Sequence, residues 1–360
     1  MGDRGGVTPY RVPVPEGWGC WPHASTWGDR EWGAWLSAQG WSDAKVEAYR
    51  RLRAALSIRV RQVKTGEETV FYAPTPMGVR FHLDPRPNLL FGGAMGGAKS
   101  YTARHDAYLR LMALPGCRLL LLRRTFTELM DNHLDEAARE VERLRQAGLP
   151  FRFLKDERRV VYDHGKGKDA SWLRFGHCEN EGDEEHYLSS AYEVVYVDEA
   201  ATFTKKQVLT IQERLRSAIP GATALLRCTS NPGGAHTLWL KAWFMDHTVT
   251  VEENDAYDPA EWGFIQSKLY HNPYYMDPDG TWTTYIKRLK GQGTERARQM
   301  LEGDWDVIEG QFFREWRRDA HVADLGRIGP EVARFRCLDW GYNNRFAVYW
   351  IAALPDGRLY

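Results

Sequence analysis

The stretch NLLFGGAMGGAKSYTAR, Asn88 to Arg104, limits what this chain can fold into more than any other. A short apolar run (Leu89, Leu90, Phe91) meets a glycine-rich turn and then Lys99-Ser100. Strand, loop and helix in that order are the context a phosphate-binding P-loop requires. Glycines let backbone N–H groups converge on an anion with no Cβ in the way, and the helix N-terminus behind them adds partial positive charge. Gly93, Ala94, Met95, Gly96, Gly97, Ala98, Lys99 and Ser100 thus form a candidate nucleotide-binding loop. Lys99 would reach the β- and γ-phosphates and Ser100 would take a place on Mg²⁺. Ala98 stands where the pattern G-x-x-x-x-G-K-[ST] usually has glycine, a departure that a negative φ would tolerate.

A chain of 360 residues suggests two or three domains. Four regions are expected: a Trp-rich helical accessory region (1–70), a P-loop core (71–255), a lid and linker (256–330) and the start of a further domain (331–360). Lys plus Arg equals Asp plus Glu, at 48 each, so no global field draws the chain to nucleic acid, and any such contact must be local. Five scattered cysteines without a C-x-x-C pair read as reduced, mostly buried thiols. With no signal pattern and no run of 18 apolar residues, a soluble intracellular protein is expected.

In order, a helix is expected from Ser42 to about Ser57, its arginines forming a solvated face or a docking surface for DNA or a protein. Tyr72 to Pro87 is a proline-punctuated approach that could cover a base or equally be only a surface connection. Ala103, Ala107, Leu111 and Leu114 fall at helical spacing up to Pro115-Gly116. Arg118 to Leu122 reads as a buried strand, and Thr125 with Glu128 as a capping box opening a helix that runs to Gly148. Alternating strands and helices point to an α/β fold with crossovers on a parallel sheet. Arg159 to Tyr162 and Ser171 to Phe175 suggest an inserted β-hairpin, and Glu179 to Glu185 a solvated acidic loop.

Two further strand ends carry polar groups. YEVVYVDEA (Tyr192 to Ala200) delivers Asp198 and Glu199 to the C-terminal end of a strand, where ligands of parallel sheets bind. Asp198 suits a Mg²⁺ shell, and Glu199 suits orienting and deprotonating a water. ATALLRCTSNPGG (Ala222 to Gly234) ends another apolar run in Ser230-Asn231, short polar groups able to sense a γ-phosphate.

The order GGAMGGAKS, LLLRRTFTEL, VVYVDEA, ERLRS, TSNPGG with HTLWLKAWF, then MLEGDWDVIEGQFF, resembles the large subunit of tailed-bacteriophage terminases over about residues 70 to 360. The resemblance implies an ASCE-type P-loop ATPase with a parallel-rich central sheet and flanking helices, plus the start of an RNase H-like nuclease domain. Its function would be ATP-driven translocation of double-stranded DNA into procapsids in the host cytoplasm, with DNA cutting in a longer chain. Implied partners are double-stranded DNA, a small terminase subunit, a portal protein and further copies in a ring, with no membrane. Lys99 and Ser100 become Walker A residues, Asp198 and Glu199 Walker B residues, and Ser230 and Asn231 coupling residues. Met95 occupies the place where family members often carry an arginine. A charge-stabilising arginine is then sought among Arg123, Arg124, Arg214 and Arg216, with Arg124 and Arg214 assigned as catalytic. Asp339, ending the strand Arg334 to Asp339, would be a nuclease metal ligand, with the second divalent metal site incomplete because the chain stops in mid-hairpin. The competing readings are a non-catalytic nucleotide- or DNA-binding fragment and another P-loop ATPase such as a helicase, although no second glycine loop occurs.

Overall fold

The computed structural model describes residues 42–61, 66, 68–220, 222–250, 257–269, 272, 284–291, 297–306, 321, 328–340, 347–355 and 357–359. The tryptophan-rich lead before Ser42 lies outside them. The chain divides into two units, Met1–Glu309 and Gly310–Tyr360.

In the first unit an eight-stranded sheet carries the site. Its strands are β3 (Asn88–Gly93), β4 (Arg118–Arg123), β5 (Phe151–Leu154), β6 (Arg159–Tyr162), β7 (Ser171–His177), β8 (Val194–Asp198), β9 (Leu225–Ser230) and β10 (Trp262–Ser267). They lie in the order β10-β3-β9-β8-β4-β7-β6-β5. The neighbours from β10 through β7 are parallel, and β6 and β5 follow antiparallel at one edge. Two short strands, β1 (Ile58–Arg61) and β2 (Glu68–Tyr72), form a separate hairpin.

The central strands are apolar on both faces because helices cover both. Alternation along each strand sorts residues between two cores. Leu89, Phe91, Leu119, Leu121, Val194 and Tyr196 face the core covered by helices α1 (Asp43–Ala55), α2 (Pro76–Leu83), α3 (Lys99–Ala113) and α5 (Asp135–Gln146). Leu90, Leu120, Leu122, Val195 and Val197 face the core covered by α6 (Lys205–Gln212) and α7 (Thr237–Phe244). Burying each such leucine contributes about 2 kcal/mol. The result is the α/β architecture expected for a P-loop ATPase.

Three local expectations are corrected. The hairpin β6–β7 is not an insertion: β7 runs parallel to β4 in the main sheet, and β6 and β5 extend its edge. Thr125 accepts from the Glu128 amide at 3.2 Å, but the capping box is half made, because the Glu128 carboxylate turns to Arg123 Nε at 3.6 Å. The acidic loop is not wholly solvated: Glu184 is buried and accepts from the Gly182 amide, while Asp183 accepts from the amides of Glu179 and Asn180. In addition, the sheet's edge strand β10 lies in the region read as lid and linker. Its sequence, WGFIQS, mixes polar and apolar positions, with Trp262 packed in one core and Ile265 in the other.

In the second unit the described part is an antiparallel pair, β11 (Ala333–Asp339) and β12 (Ala347–Ala353), with Asp339 opposite Ala347. Asp339 is exposed there. Cys117, Cys178 and Cys228 are buried free thiols, and Cys337 is exposed. Among the described residues no helix is long and apolar enough to cross a membrane.

Candidate functional site

Because β3, β9 and β8 are neighbours and parallel, their C-terminal ends bring three distant loops to one edge. Gly92 is in register with Ser230, and Asp198 with Thr229. This is where open α/β sheets bind ligands.

The glycine loop opens α3. Contrary to the negative φ expected, Ala98 is left-handed (φ 58), as is Gly96 (φ 72). The turn must reverse sharply to direct successive amides inward, and a methyl group there costs about 1–2 kcal/mol. Glu199 is also left-handed, at φ 56, so two of the four described non-glycine residues at positive φ stand at this one edge. Strain of this kind gathers at functional sites. No side chain caps α3, whose first amides, as at any helix start, have no intrahelical partner.

Lys99 is buried and folds back under the loop. Its ammonium donates to Ala94 O at 2.5 Å, to Asn231 Oδ1 at 2.7 Å and, weakly, to Gly93 O at 3.4 Å. Burial pushes its pKa down to about 8, against the pull of Glu199 and Asp198. Asn231 uses its other end to donate from Nδ2 to Glu199 Oε1 at 3.0 Å. Only this amide orientation suits an ammonium on one side and a carboxylate on the other. Asn231 therefore links the lysine that opens α3 to the glutamate that follows β8. Ser230 is buried, accepting from the Ala201 amide at 3.1 Å and donating to Asn231 O, so it braces the loop after Glu199.

Asp198 is buried and fully engaged. Ser100 Oγ donates to its Oδ1 at 2.8 Å and Thr229 Oγ1 donates to the same oxygen. Its other oxygen, Oδ2, receives Arg123 Nη1 and, at 2.9 Å, His133 Nε2. Burial alone would raise its pKa, but His133, Arg123 and Thr229 hold it far below the usual carboxylate range. Glu199 moves the opposite way: burial and the neighbouring Asp198 raise it, making it a better proton acceptor. Two adjacent carboxylates are thus pushed apart, one fixed as an anion and one made basic.

Ser100 Oγ and Asp198 Oδ1 are hard oxygens side by side, which fits Mg²⁺, an ion that takes few protein ligands and fills its shell with water and phosphate. Among the described residues no group of three or more His, Cys, Asp or Glu could hold a metal alone.

The candidate arginines are placed differently in the structure. Arg124 donates to Cys178 O and Gln207 Oε1, and Arg214 to Leu188 O and Glu213, so neither reaches these carboxylates. Arg216 is exposed. Arg123, ending β4, is the candidate that reaches Asp198. Asp339 belongs to the second unit.

Residues 257–306 also support the loop. The Ala94 amide donates to Ser267 O at 2.7 Å, the Met95 amide to Met300 O at 3.0 Å, and Asn272 Nδ2 to Gly96 O at 2.6 Å. Gly303 (φ 64) is pressed so close that an added Cβ would lie 2.4 Å from Gly93 Cα. Sequence reasoning missed these contacts, along with Thr229 and His133. Thr229 was findable as the residue preceding Ser230 on a buried strand, whereas His133 gave no local signal.

Residues 86–304 match the family model described as phage terminase large subunit. No curated protein matches the chain. Among solved structures, the large terminase of a thermophilic bacteriophage in complex with ADP is similar at 13% identity, covering 79% of this chain and 66% of that one with a TM-score of 0.47. The ATPase domain of the Thermus phage P74-26 large terminase is 14% identical, covering 65% and 94% at a TM-score of 0.46. The HK97 bacteriophage large terminase is 12% identical, covering 79% and 61% at 0.46. The chain spans about two thirds of the length of the ADP-bound terminase. Because the family model takes in more than half of the chain and all three loops at the strand ends, the protein belongs to the phage terminase large subunit family.

Proposed function

We propose that this chain is the ATP-hydrolysing motor part of a terminase large subunit, driving double-stranded DNA into a procapsid. The observation that carries the proposal is the bridge from Lys99 through Asn231 to Glu199, beside the Ser100–Asp198 pair. Phosphate-binding, metal-holding and proton-accepting groups there share one buried edge.

In this reading the amides from Gly96 to Ser100 cradle the phosphates. Lys99 exchanges its carbonyl partners for β- and γ-phosphate oxygens. Mg²⁺, when bound, neutralises charge on the phosphates, and Ser100 with Asp198 would hold it. Glu199 orients the attacking water and accepts its proton, and the pull of burial on its pKa favours that role. Asn231 loses one partner whenever Lys99 moves, which gives the loop Ser230–Asn231 a means of sensing the γ-phosphate. Arg123 supplies the positive charge nearest the Walker B acids. Grip on DNA through phosphates would make packaging sensitive to salt. The small subunit, the portal, a ring of copies and a nuclease to which Asp339 contributes belong to the same proposal.

ATP hydrolysis measured with and without double-stranded DNA tests it. Glu199→Gln should bind ATP and stop turnover, whereas Lys99→Ala should weaken binding. Equal turnover in wild type and Glu199→Gln would remove Glu199 from this role, and binding without any turnover in wild type would favour a non-catalytic module.

A further inference from the structure

The helix after β4 is not uniform. Helix α4 (Phe126–Leu129) passes into a π turn (Met130–Leu134) before α5 begins. Such turns add a residue to the helical path and are frequent at functional sites. This one carries the fully buried His133 to Asp198, Nε2 lying 2.9 Å from Oδ2.

Burial lowers the His133 pKa, although Asp198 pulls it up. With Nε2–H donated to Asp198, Nδ1 is an acceptor, and Arg104 Nη1 faces it at 3.4 Å. Arg104 stands on α3, the helix that begins at Lys99. Its guanidinium is clamped by Glu140 of α5 through two bonds of 2.7 Å, and Tyr108 donates to the same carboxylate at 2.9 Å. Arg104, Tyr108, His133 and Glu140 are all buried. The chain Glu140–Arg104–His133–Asp198 thus ties the helix behind the glycine loop to the carboxylate at the end of β8. It ends on Oδ2, leaving Oδ1 to Ser100 and Thr229.

We propose that His133 is a positioning residue. By donating to Oδ2 it fixes the carboxylate plane of Asp198, so that Oδ1 stays beside Ser100 Oγ where the two can hold the nucleotide's Mg²⁺. This rests on the nucleotide reading above and adds to it the group that orients the metal-holding acid. Partners that orient a metal ligand typically matter roughly 10- to 100-fold in metal affinity.

The test is binding of a fluorescent N-methylanthraniloyl-ATP, titrated with Mg²⁺ and repeated in EDTA. In His133→Asn the amide donor sits near the position of Nδ1 and does not reach Asp198. In His133→Gln it reaches about as far as Nε2. The Asn variant should need roughly 10- to 100-fold more Mg²⁺ for half-maximal enhancement of binding. The Gln variant should stay close to wild type, and affinity in EDTA should be the same in all three. An unmoved Mg²⁺ midpoint in His133→Asn, an equal loss in EDTA, or an equal shift in the Gln variant would overturn the proposal. Glu140→Gln, which loosens Arg104 without touching Asp198, should move the midpoint in the same direction by less. It carries the test if His133→Asn does not fold, and no movement there contradicts the proposal. A wild-type protein showing no Mg²⁺-dependent binding would instead defeat the nucleotide reading itself.

Discussion

Replacing Lys99 by methionine keeps the chain's length and apolar stem but removes the buried charge. Burial pushes the Lys99 amine from 10.5 to about 8, although Glu199 and Asp198 pull it up. That gap amounts to about 3 kcal/mol set against the charged form in the folded, nucleotide-free protein. Lost with the charge are the bonds to Ala94 O and Asn231 Oδ1, and groups left unpaired in this way cost about 1–3 kcal/mol each. The two effects nearly cancel at pH 7, so Lys99→Met should fold about as stably as wild type while losing ATP affinity. Their pH dependence separates them. Below about 8 the amine is protonated in both folded and unfolded chains and the full penalty applies. Between about 8 and 10.5 the folded chain has released a proton that the unfolded chain still holds, so stability rises with pH. From pH 7 to pH 9 wild type should gain about 1.4 kcal/mol relative to Lys99→Met. Urea denaturation of both proteins, free of nucleotide and in chelator, measures this. A difference between them that does not change from pH 7 to pH 9 would refute the reasoning.

Three other substitutions address separate parts of the site. Arg123→Ala leaves Asp198 Oδ2 to His133 alone, and breaking this buried pair should cost about 3–5 kcal/mol by chemical denaturation; a loss below about 1 kcal/mol would show that the pair is not holding the acid. Asn231→Ala cuts the bridge between Lys99 and Glu199, and turnover should fall roughly 10- to 100-fold with a smaller change in ATP affinity, read from steady-state kinetics beside equilibrium binding. Gly303→Ala forces a Cβ onto Gly93 at a left-handed position, so thermal unfolding should report a loss of about 2 kcal/mol or more, and an unchanged midpoint would mean that the segment does not press on the loop.

The sequence made the strand ends legible for a physical reason. A strand buried on both faces tends to be a continuous apolar run, so LLF and VVYV mark their own ends, whereas β9 runs on past ALL through the buried Arg227, Thr229 and Ser230 to the same edge. Lys99, Ser100, Asp198, Glu199, Ser230 and Asn231 were found that way. What could not be read was the surroundings. Arg123 and Arg124 are adjacent and chemically alike, and only the end of β4 decides that the first reaches Asp198 while the second turns to Gln207. His133 arrives by a π turn that no local pattern announces. Strand β10, at the edge of the sheet among the described residues, lacks the alternating or wholly apolar pattern that marks a strand. Ala98 hid its left-handed φ because nothing in an alanine requires one.

The central claim is that three loops at one sheet edge enclose a triphosphate and its metal. Anomalous diffraction from crystals grown with Mn²⁺ and a non-hydrolysable ATP analogue tests it most directly. The account predicts a single metal peak bonded to Ser100 Oγ and adjoining Asp198, with phosphate oxygens in place of Ala94 O on the Lys99 amine. A metal or nucleotide bound elsewhere, with Lys99 still on the Ala94 carbonyl, would contradict it.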